Sequence, residues 1–155
     1  MKRTTLFWLL LMGLGSLGMA VSSCRQCGNV DCPPTNASEL FRIVDAAGKD
    51  LVFGPGKIYD KSQVRFYNLQ GSDTIFLTSQ ILPPSGSSTD SAFLVAFSAS
   101  RNTSYVPYGN GDADTLNLDL LTLSSKCCGT STTLNGIKFN GVSLSRVNGT
   151  YQLRK

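Results

Sequence analysis

The sequence predicts an all-β protein built as a single antiparallel β-sandwich. Three observations carry that expectation. Short runs rich in Val, Ile, Leu, Phe, Tyr and Thr recur through residues 39–155, separated by Gly, Pro, Asn and Asp clusters. A turn roughly every 8–12 residues is the spacing of sandwiches and barrels. Several runs alternate apolar with polar residues, the period of two that puts one face of a strand on a core. Beyond the first two dozen residues, no stretch reads convincingly as helix. A chain of 155 residues fits one domain, and a core of that size forms without a metal.

The elements follow in order. Residues 40–44 (LFRIV) open the domain with strand formers that alternate in part. Ala46-Ala47-Gly48-Lys49 makes a turn, and residues 50–53 return as a hairpin partner that Gly54-Pro55-Gly56 ends. Residues 64–69 and 74–77 form the next pair around Gly71-Ser72-Asp73. Residues 83–88 (PPSGSS) are a loop. The nearly continuous apolar run 92–97 reads as a central strand buried on both faces. Residues 115–120 (TLNLDL) alternate strictly, as a half-buried strand does. Residues 137–139 and 142–144 flank Asn140-Gly141, a strong hairpin signal. Val147, Asn148-Gly149 and residues 151–153 close the chain. About eight or nine strands of this kind suggest an immunoglobulin-like or Greek-key sandwich.

The first residues read differently. Lys2 and Arg3 precede an apolar run reaching Val21, and no charge occurs from Thr4 to Ser23. These are the basic and apolar regions of a secretory signal. Gly13, Gly15 and Gly18 argue against the rival, a membrane-spanning helix. Val21-Ser22-Ser23-Cys24 resembles the lipobox of bacterial lipoproteins: a branched apolar residue, two small ones, then cysteine. The resemblance implies cleavage before Cys24 and acylation of its sulfur. Several acyl chains anchor far more firmly than one. The expected organisation is a signal peptide at 1–23, a lipidated N-terminus and tether at 24–38, and the sandwich at 39–155. Losing Lys2 and Arg3 from 14 basic residues leaves 12 against 10 acidic ones. That balance lacks the clustered basic face of a nucleic-acid binder.

Cys24 and Cys27 spell CxxC, a redox or metal spacing. A sulfur carrying lipid can neither exchange nor ligate. Cys27, Cys32, Cys127 and Cys128 then remain, an even number in an exported, oxidising setting. Four cysteines allow three connectivities. Pairing Cys127 with Cys128 forces a strained ring, so the two cross-pairings are favoured and stay open between them. Each bridge would close a loop of about 100 residues, worth up to ~4–5 kcal/mol in the chain-entropy view. Neighbours on a strand face opposite ways, so Cys127-Cys128-Gly129 is expected at a turn or bulge. A zinc site of four thiolates is disfavoured, because adjacent ligands suit tetrahedral closure poorly. No metal and no cofactor is expected.

Beyond the lipobox, Phe41-Arg42-Ile43-Val44-Asp45, residues 48–54, Val64-Arg65-Phe66-Tyr67, Asp114-Thr115-Leu116, Cys127-Cys128-Gly129 and the Asn140-Gly141 hairpin resemble small lipoproteins of the Bacteroidota. The resemblance implies a β-sandwich on a membrane anchor and brings no assigned activity. Arg25-Gln26-Cys27-Gly28-Asn29 lacks the acidic run that accompanies surface export in such bacteria, and no Asp follows Cys24. Both features imply an outer-membrane anchor facing the periplasm. Exported proteins of that group also carry O-glycans at Asp-Ser/Thr before a small or apolar residue. Thr74, Ser91 and Thr115 match in Asp73-Thr74-Ile75, Asp90-Ser91-Ala92 and Asp114-Thr115-Leu116. The residues by themselves read as polar turns entering strands.

Catalysis finds little support. Histidine is absent, which removes Ser-His-Asp triads, Cys-His pairs and HExxH zinc sites. No SxxK occurs, and Glu39 is the sole glutamate. Asn110-Gly111-Asp112-Ala113-Asp114 spaces oxygens as a calcium loop does, but Thr115 and Leu121 stand where that loop needs glycine and glutamate. Gly54-Pro55-Gly56-Lys57 lacks the P-loop spacing. The segment from Arg101 to Asn110 has the Tyr, Ser, Gly, Asn and Arg chemistry of adaptable binding loops. Arg101, Tyr105, Tyr108 and Asn110 are its candidate ligand-contacting residues. The opposing reading has the tyrosines covering the sandwich end. The expected protein is a membrane-anchored, non-catalytic structural or binding module of the cell envelope. The alternative is a surface carbohydrate-binding or adhesion subunit. Expected partners are the lipid bilayer and an envelope protein or glycan, with no nucleic acid.

Overall fold

The computed structural model describes residues 27–28, 30–84, 91–109 and 111–155. The signal peptide and Cys24 lie outside them. The chain divides into two compact units: residues 1–33 with 124–129, and residues 34–123 with 130–155.

The larger unit carries two sheets packed around one core. In chain order its strands are β1 (Ala37–Val44), β2 (Tyr67–Gln70), β3 (Asp73–Phe76), β4 (Ser79–Leu82), β5 (Ala92–Phe97), β6 (Thr103–Pro107), β7 (Ala113–Ser125), β8 (Gly129–Phe139), β9 (Val142–Ser143), β10 (Arg146–Val147) and β11 (Thr150–Arg154). One sheet runs β10-β11-β1-β5-β4, the other β3-β2-β6-β7-β8-β9. The all-β sandwich expected from the sequence is therefore present. The pairing is mostly antiparallel, and β1 lies parallel to β11, Phe41 opposite Tyr151 and Ile43 opposite Leu153. A parallel pair needs a long crossover, and the rest of the domain supplies it.

Each sheet edge hands the chain to the other sheet. β3 ends one sheet and β4 begins the edge of the other, with Leu77 N donating to Phe66 O (2.8 Å) and Ala96 N to Thr78 O (3.0 Å) at the crossing. β9 passes to β10 the same way, after Leu144 N donates to Ile137 O (3.0 Å). Strands that switch sheets make the corners of such sandwiches. Between the sheets, Phe41 contacts Phe66, Phe97 and Tyr151 at ring-centroid distances of 5.7–5.8 Å. Ile43, Val95, Val106, Leu116 and Leu153 have no exposed surface.

Several elements depart from their sequence-based expectations. Residues 50–53 do not form a hairpin strand. One bridge joins Val44 to Asp50, and the chain then bends. Asp50 Oδ1 accepts the amides of Val52 (2.7 Å) and Phe53 (2.6 Å), while Arg42 Nε holds Oδ2 at 3.2 Å. A carboxylate that captures its own following amides offers the backbone an alternative to the ladder. The strand expected at 64–69 starts at Tyr67, although Val64 and Phe66 are core residues. Val64 N turns back to Asp60 O at 3.3 Å instead. In β5, Leu94 and Ala96 are half-buried, so this strand is not covered on both faces. The first strand begins at Ala37, two residues before the expected start of the sandwich at residue 39.

The β7–β8 hairpin is the largest surprise. Its strands have 13 and 11 residues, where the sequence suggested a short strand at 115–120 and another at 137–139. Thr130, Ser131, Thr132 and Thr133 show no apolar alternation, yet β-branched threonine suits a strand. The inward phase of β8 slips between Leu134 and Ile137, both of which pack on the core. A one-residue slip of this kind, here beside Gly136, is what a bulge produces.

Candidate functional site

Three chemically distinct places deserve description, and each begins from a local rule of sequence.

The smaller unit holds Cys27, Cys32 and the turn between β7 and β8. Cys27 is bonded to Cys127 and Cys32 to Cys128, with Cα–Cα separations of 5.3 and 5.2 Å. One of the two expected cross-pairings is thus selected. Cys127 and Cys128 lie in a turn, where adjacent side chains escape the opposed facing of a strand. Cys128 N donates to Ser125 Oγ at 3.0 Å, and Gly129 follows at φ +66°, a conformation that favours glycine. Four of the five cysteines are consumed here, and the fifth, Cys24, lies outside the described residues.

The second place is the outer face of the six-stranded sheet. Register puts Phe76 of β3 opposite Tyr67 of β2, and Tyr67 opposite Tyr105 of β6. Thr115 of β7 stands opposite Tyr105 in turn. On β6, Ser104 and Val106 face inward, so Tyr105 faces out. Tyr67 and Tyr105 stack at 5.3 Å and 21°, and Phe76 meets Tyr67 edge-on at 6.2 Å. Phe76 is 63 % exposed. Arg101 Nη1 donates to Leu69 O at 2.6 Å, which fixes the arginine beside this row. Two open grooves flank β9: one of about 390 Å³ bordered by Val142, Leu144, Val147 and Arg154, one of about 330 Å³ bordered by Asn117, Asp119, Lys138 and Leu144.

The third place corrects the expected ligand loop. Residues 103–107 are a strand rather than a loop, and Tyr108 is 1 % exposed. Its hydroxyl donates to Asp114 Oδ2 at 2.8 Å. Asn140 Nδ2 donates to Asp114 Oδ1 at 2.9 Å, and Lys155 Nζ lies 3.0 Å from Asp114 Oδ2 and 2.7 Å from Asp112 Oδ2. The same ammonium sits 4.4 Å from the centroid of the Tyr108 ring. The two aspartates that resembled calcium ligands therefore hold the cation of Lys155. Burial would raise the Asp114 carboxyl, but hydrogen bonds from Asn140, Lys155 and Tyr108 outweigh it and hold the group below the usual carboxylate range. Burial, reinforced by the Asp114 carboxylate, pushes the Tyr108 phenol far above its ordinary value. Burial works against the Lys155 charge, yet Asp112 and Asp114 raise its pKa on balance. With its partners engaged, this cluster fastens the last residue to β7.

Arg101 and Tyr105 thus stay at the surface, Tyr108 does not, and Asn110 lies outside the described residues. Among the three glycan candidates, Thr74 is exposed on β3, while Ser91 and Thr115 are half-buried at or near strand starts. The aromatic row was hidden from sequence reasoning because Tyr67 and Phe76 come from a hairpin that does not adjoin β6 in the chain. No known family, no curated protein and no solved structure matches the chain.

Proposed function

We propose that the protein is a membrane-anchored, non-catalytic lipoprotein serving as a structural or binding module of the cell envelope. One observation carries this reading. The disulfides use Cys27, Cys32, Cys127 and Cys128, and the single cysteine left over ends the lipobox-like Val21-Ser22-Ser23-Cys24. An exported chain with one spare thiol at that position has a chemical use for it: thioether attachment of lipid. Paired cysteines fit an oxidising compartment such as the periplasm, in line with an outer-membrane anchor facing it. The engaged Tyr108–Asp114–Lys155 cluster and the lack of histidine support a non-catalytic role.

Labelling with palmitate in a lipoprotein-processing host tests the anchor. The expected result is a labelled chain of residues 24–155 that Cys24→Ala abolishes. A full-length unlabelled chain overturns it.

A surface carbohydrate-binding or adhesion role is the second reading. The exposed Phe76 beside Tyr67 and Tyr105 favours it, since aromatic rings stack on sugars, and Arg101 adds a donor. On a glycan array, a signal lost in both Phe76→Ala and Tyr105→Ala supports that role.

A further inference from the structure

The sandwich ends its sheets differently on its two sides. On one side the edge strands are β9 and β10, two residues each, and β10 carries Arg146. On the other they are β3 and β4, four residues each. Proteins blunt exposed edges with very short strands, charges, proline or bulges. No charged residue occurs from Thr74 to Thr89. Pro83-Pro84 follows β4, whereas β3 has only Asp73, at its first position. All four residues of β3 are exposed. Ile75 stands opposite the buried Asn68 and so lies on the core-facing side of the sheet, yet it is 46 % exposed.

The ladder to β2 fixes which backbone groups of β3 face outward. Leu77 N donates to Phe66 O at 2.8 Å, so Leu77, Ile75 and Asp73 take the hydrogen-bonded positions against β2 and its lead-in. The amides and carbonyls of Thr74 and Phe76 therefore point to the edge, where no strand lies among the described residues. Donors and acceptors in that pattern call for another β-strand.

We propose that β3 is a self-association edge, to which a second copy of this chain adds its own β3 antiparallel across a two-fold axis. A two-fold interface must be self-complementary, and β3 is. In one register Thr74 exchanges both hydrogen bonds with the partner's Phe76, and every edge-facing group of the strand is used. Ile75 then meets the partner's Ile75 on the axis, as a non-hydrogen-bonded pair whose side chains lie close. A slip of one residue sets core-facing side chains against outer ones. A slip of two leaves Thr74 or Phe76 without a partner in the strand. On the outer side, the partner's Phe76 comes beside Thr74, in the row of the exposed Leu69. The two Asp73 carboxylates fall at opposite ends of the pair, so no like charges face each other. The pairing needs no lipid anchor. Four residues a side bury less than the ~800 Å² per partner of a standard interface, so the dimer is reversible and concentration-dependent.

The full chain, purified in mild detergent from an exporting host, is followed by sedimentation equilibrium at detergent density match over about 1–300 µM protein. The wild type should pass from monomer to dimer. Thr74→Pro removes an edge-facing donor and spares the bonds of Ile75 to β2, and Ile75→Lys puts a charge on the axis. Each should weaken association about tenfold or more, while Val142→Lys, on the opposite edge, should leave it unchanged. Ile75→Cys supplies a readout that survives if either edge variant misfolds. Under mild oxidant it should give a covalent dimer that neither the wild type nor Ile81→Cys on β4 gives. A dimer that neither edge variant weakens, or an Ile75→Cys that cross-links no more than Ile81→Cys, overturns the proposal. A wild type monomeric throughout also overturns it and leaves the edge to a strand of a different protein.

Discussion

The two halves of β7 place their leucines on opposite faces of the strand and meet opposite fates. In the first half, Asp114, Leu116 and Leu118 turn inward and are buried. In the second, Leu121 and Leu123 stand exposed, and only Leu120 is partly covered. The chemistry of the residues does not explain the difference, because leucines serve both halves. Coverage does. The first half runs between β6 and β8 with the five-stranded sheet across the core, while β6 ends its pairing with β7 at Asn117. Alternation thus encodes which face a side chain takes, and the length of the neighbouring strands decides whether that face is dry.

The largest test removes what holds the second half. Each disulfide closes a loop of about a hundred residues, with sequence separations of 100 and 96. The two bonds are nearly redundant, since either one alone keeps that long loop closed. Replacing only Cys32 and Cys128 by serine should cost about 2–3 kcal/mol, the entropy of the short ring the remaining bond leaves. Replacing all four should cost more than twice as much. Equilibrium denaturation of the two variants gives both numbers. Equal losses would mean that the remaining Cys27–Cys127 bond contributes nothing to stability.

The next test compares side chains directly. Leu116 has no exposed surface, and Leu123 is 51 % exposed. Leu116→Ala should cost about 2–5 kcal/mol, transfer plus cavity. Leu123→Ala should stay within about 0.5 kcal/mol in solution. Denaturant midpoints at a shared slope give the comparison. A costly Leu123→Ala would mean that the exposed half is packed after all.

Much of the first half was legible in the sequence, and little of the second. TLNLDL at 115–120 announced a strand because its alternation is strict, and Asn140-Gly141 announced the turn beside it because both residues take φ > 0 (48° and 82°). The length of the hairpin was not legible. Thr130 to Thr133 carry no periodic signal, and Gly136 breaks the phase that would have exposed it. Cysteine number and spacing limited the disulfides to two pairings, but choosing between them needed the geometry of the turn. The candidate site failed for another reason. Tyr105 and Tyr108 are three residues apart, so a loop would present them together. A strand that ends at Pro107 instead leaves one ring on the surface and the other beneath Lys155.

The smallest effect probes how the covered half is tied at its start. Asn140 and Asn148 occupy equivalent turns, each with φ near +50° and each followed by glycine at φ near +80°. Their side chains differ. Asn140 donates to Asp114 and accepts from Thr115 N at 2.9 Å, both on β7. Among the described residues, no such bonds tie Asn148 to β7. Glycine adopts this backbone freely, so Asn140→Gly isolates the side-chain bonds and should cost about 1–2 kcal/mol near neutral pH. Asn148→Gly should change stability by no more than about 0.5 kcal/mol. The Asn140 effect should also depend on pH. The Asp114 carboxyl is held below its unfolded value, so its contribution is fully present above about pH 4 and is lost as the pH falls through the folded value. Thermal unfolding from pH 7 down to pH 2 should therefore show the wild type and Asn140→Gly converging, while Asn148→Gly tracks the wild type throughout. An Asn140→Gly deficit that stays constant into strong acid would detach the turn from the Asp114 charge and leave only the amide of Thr115 to explain it.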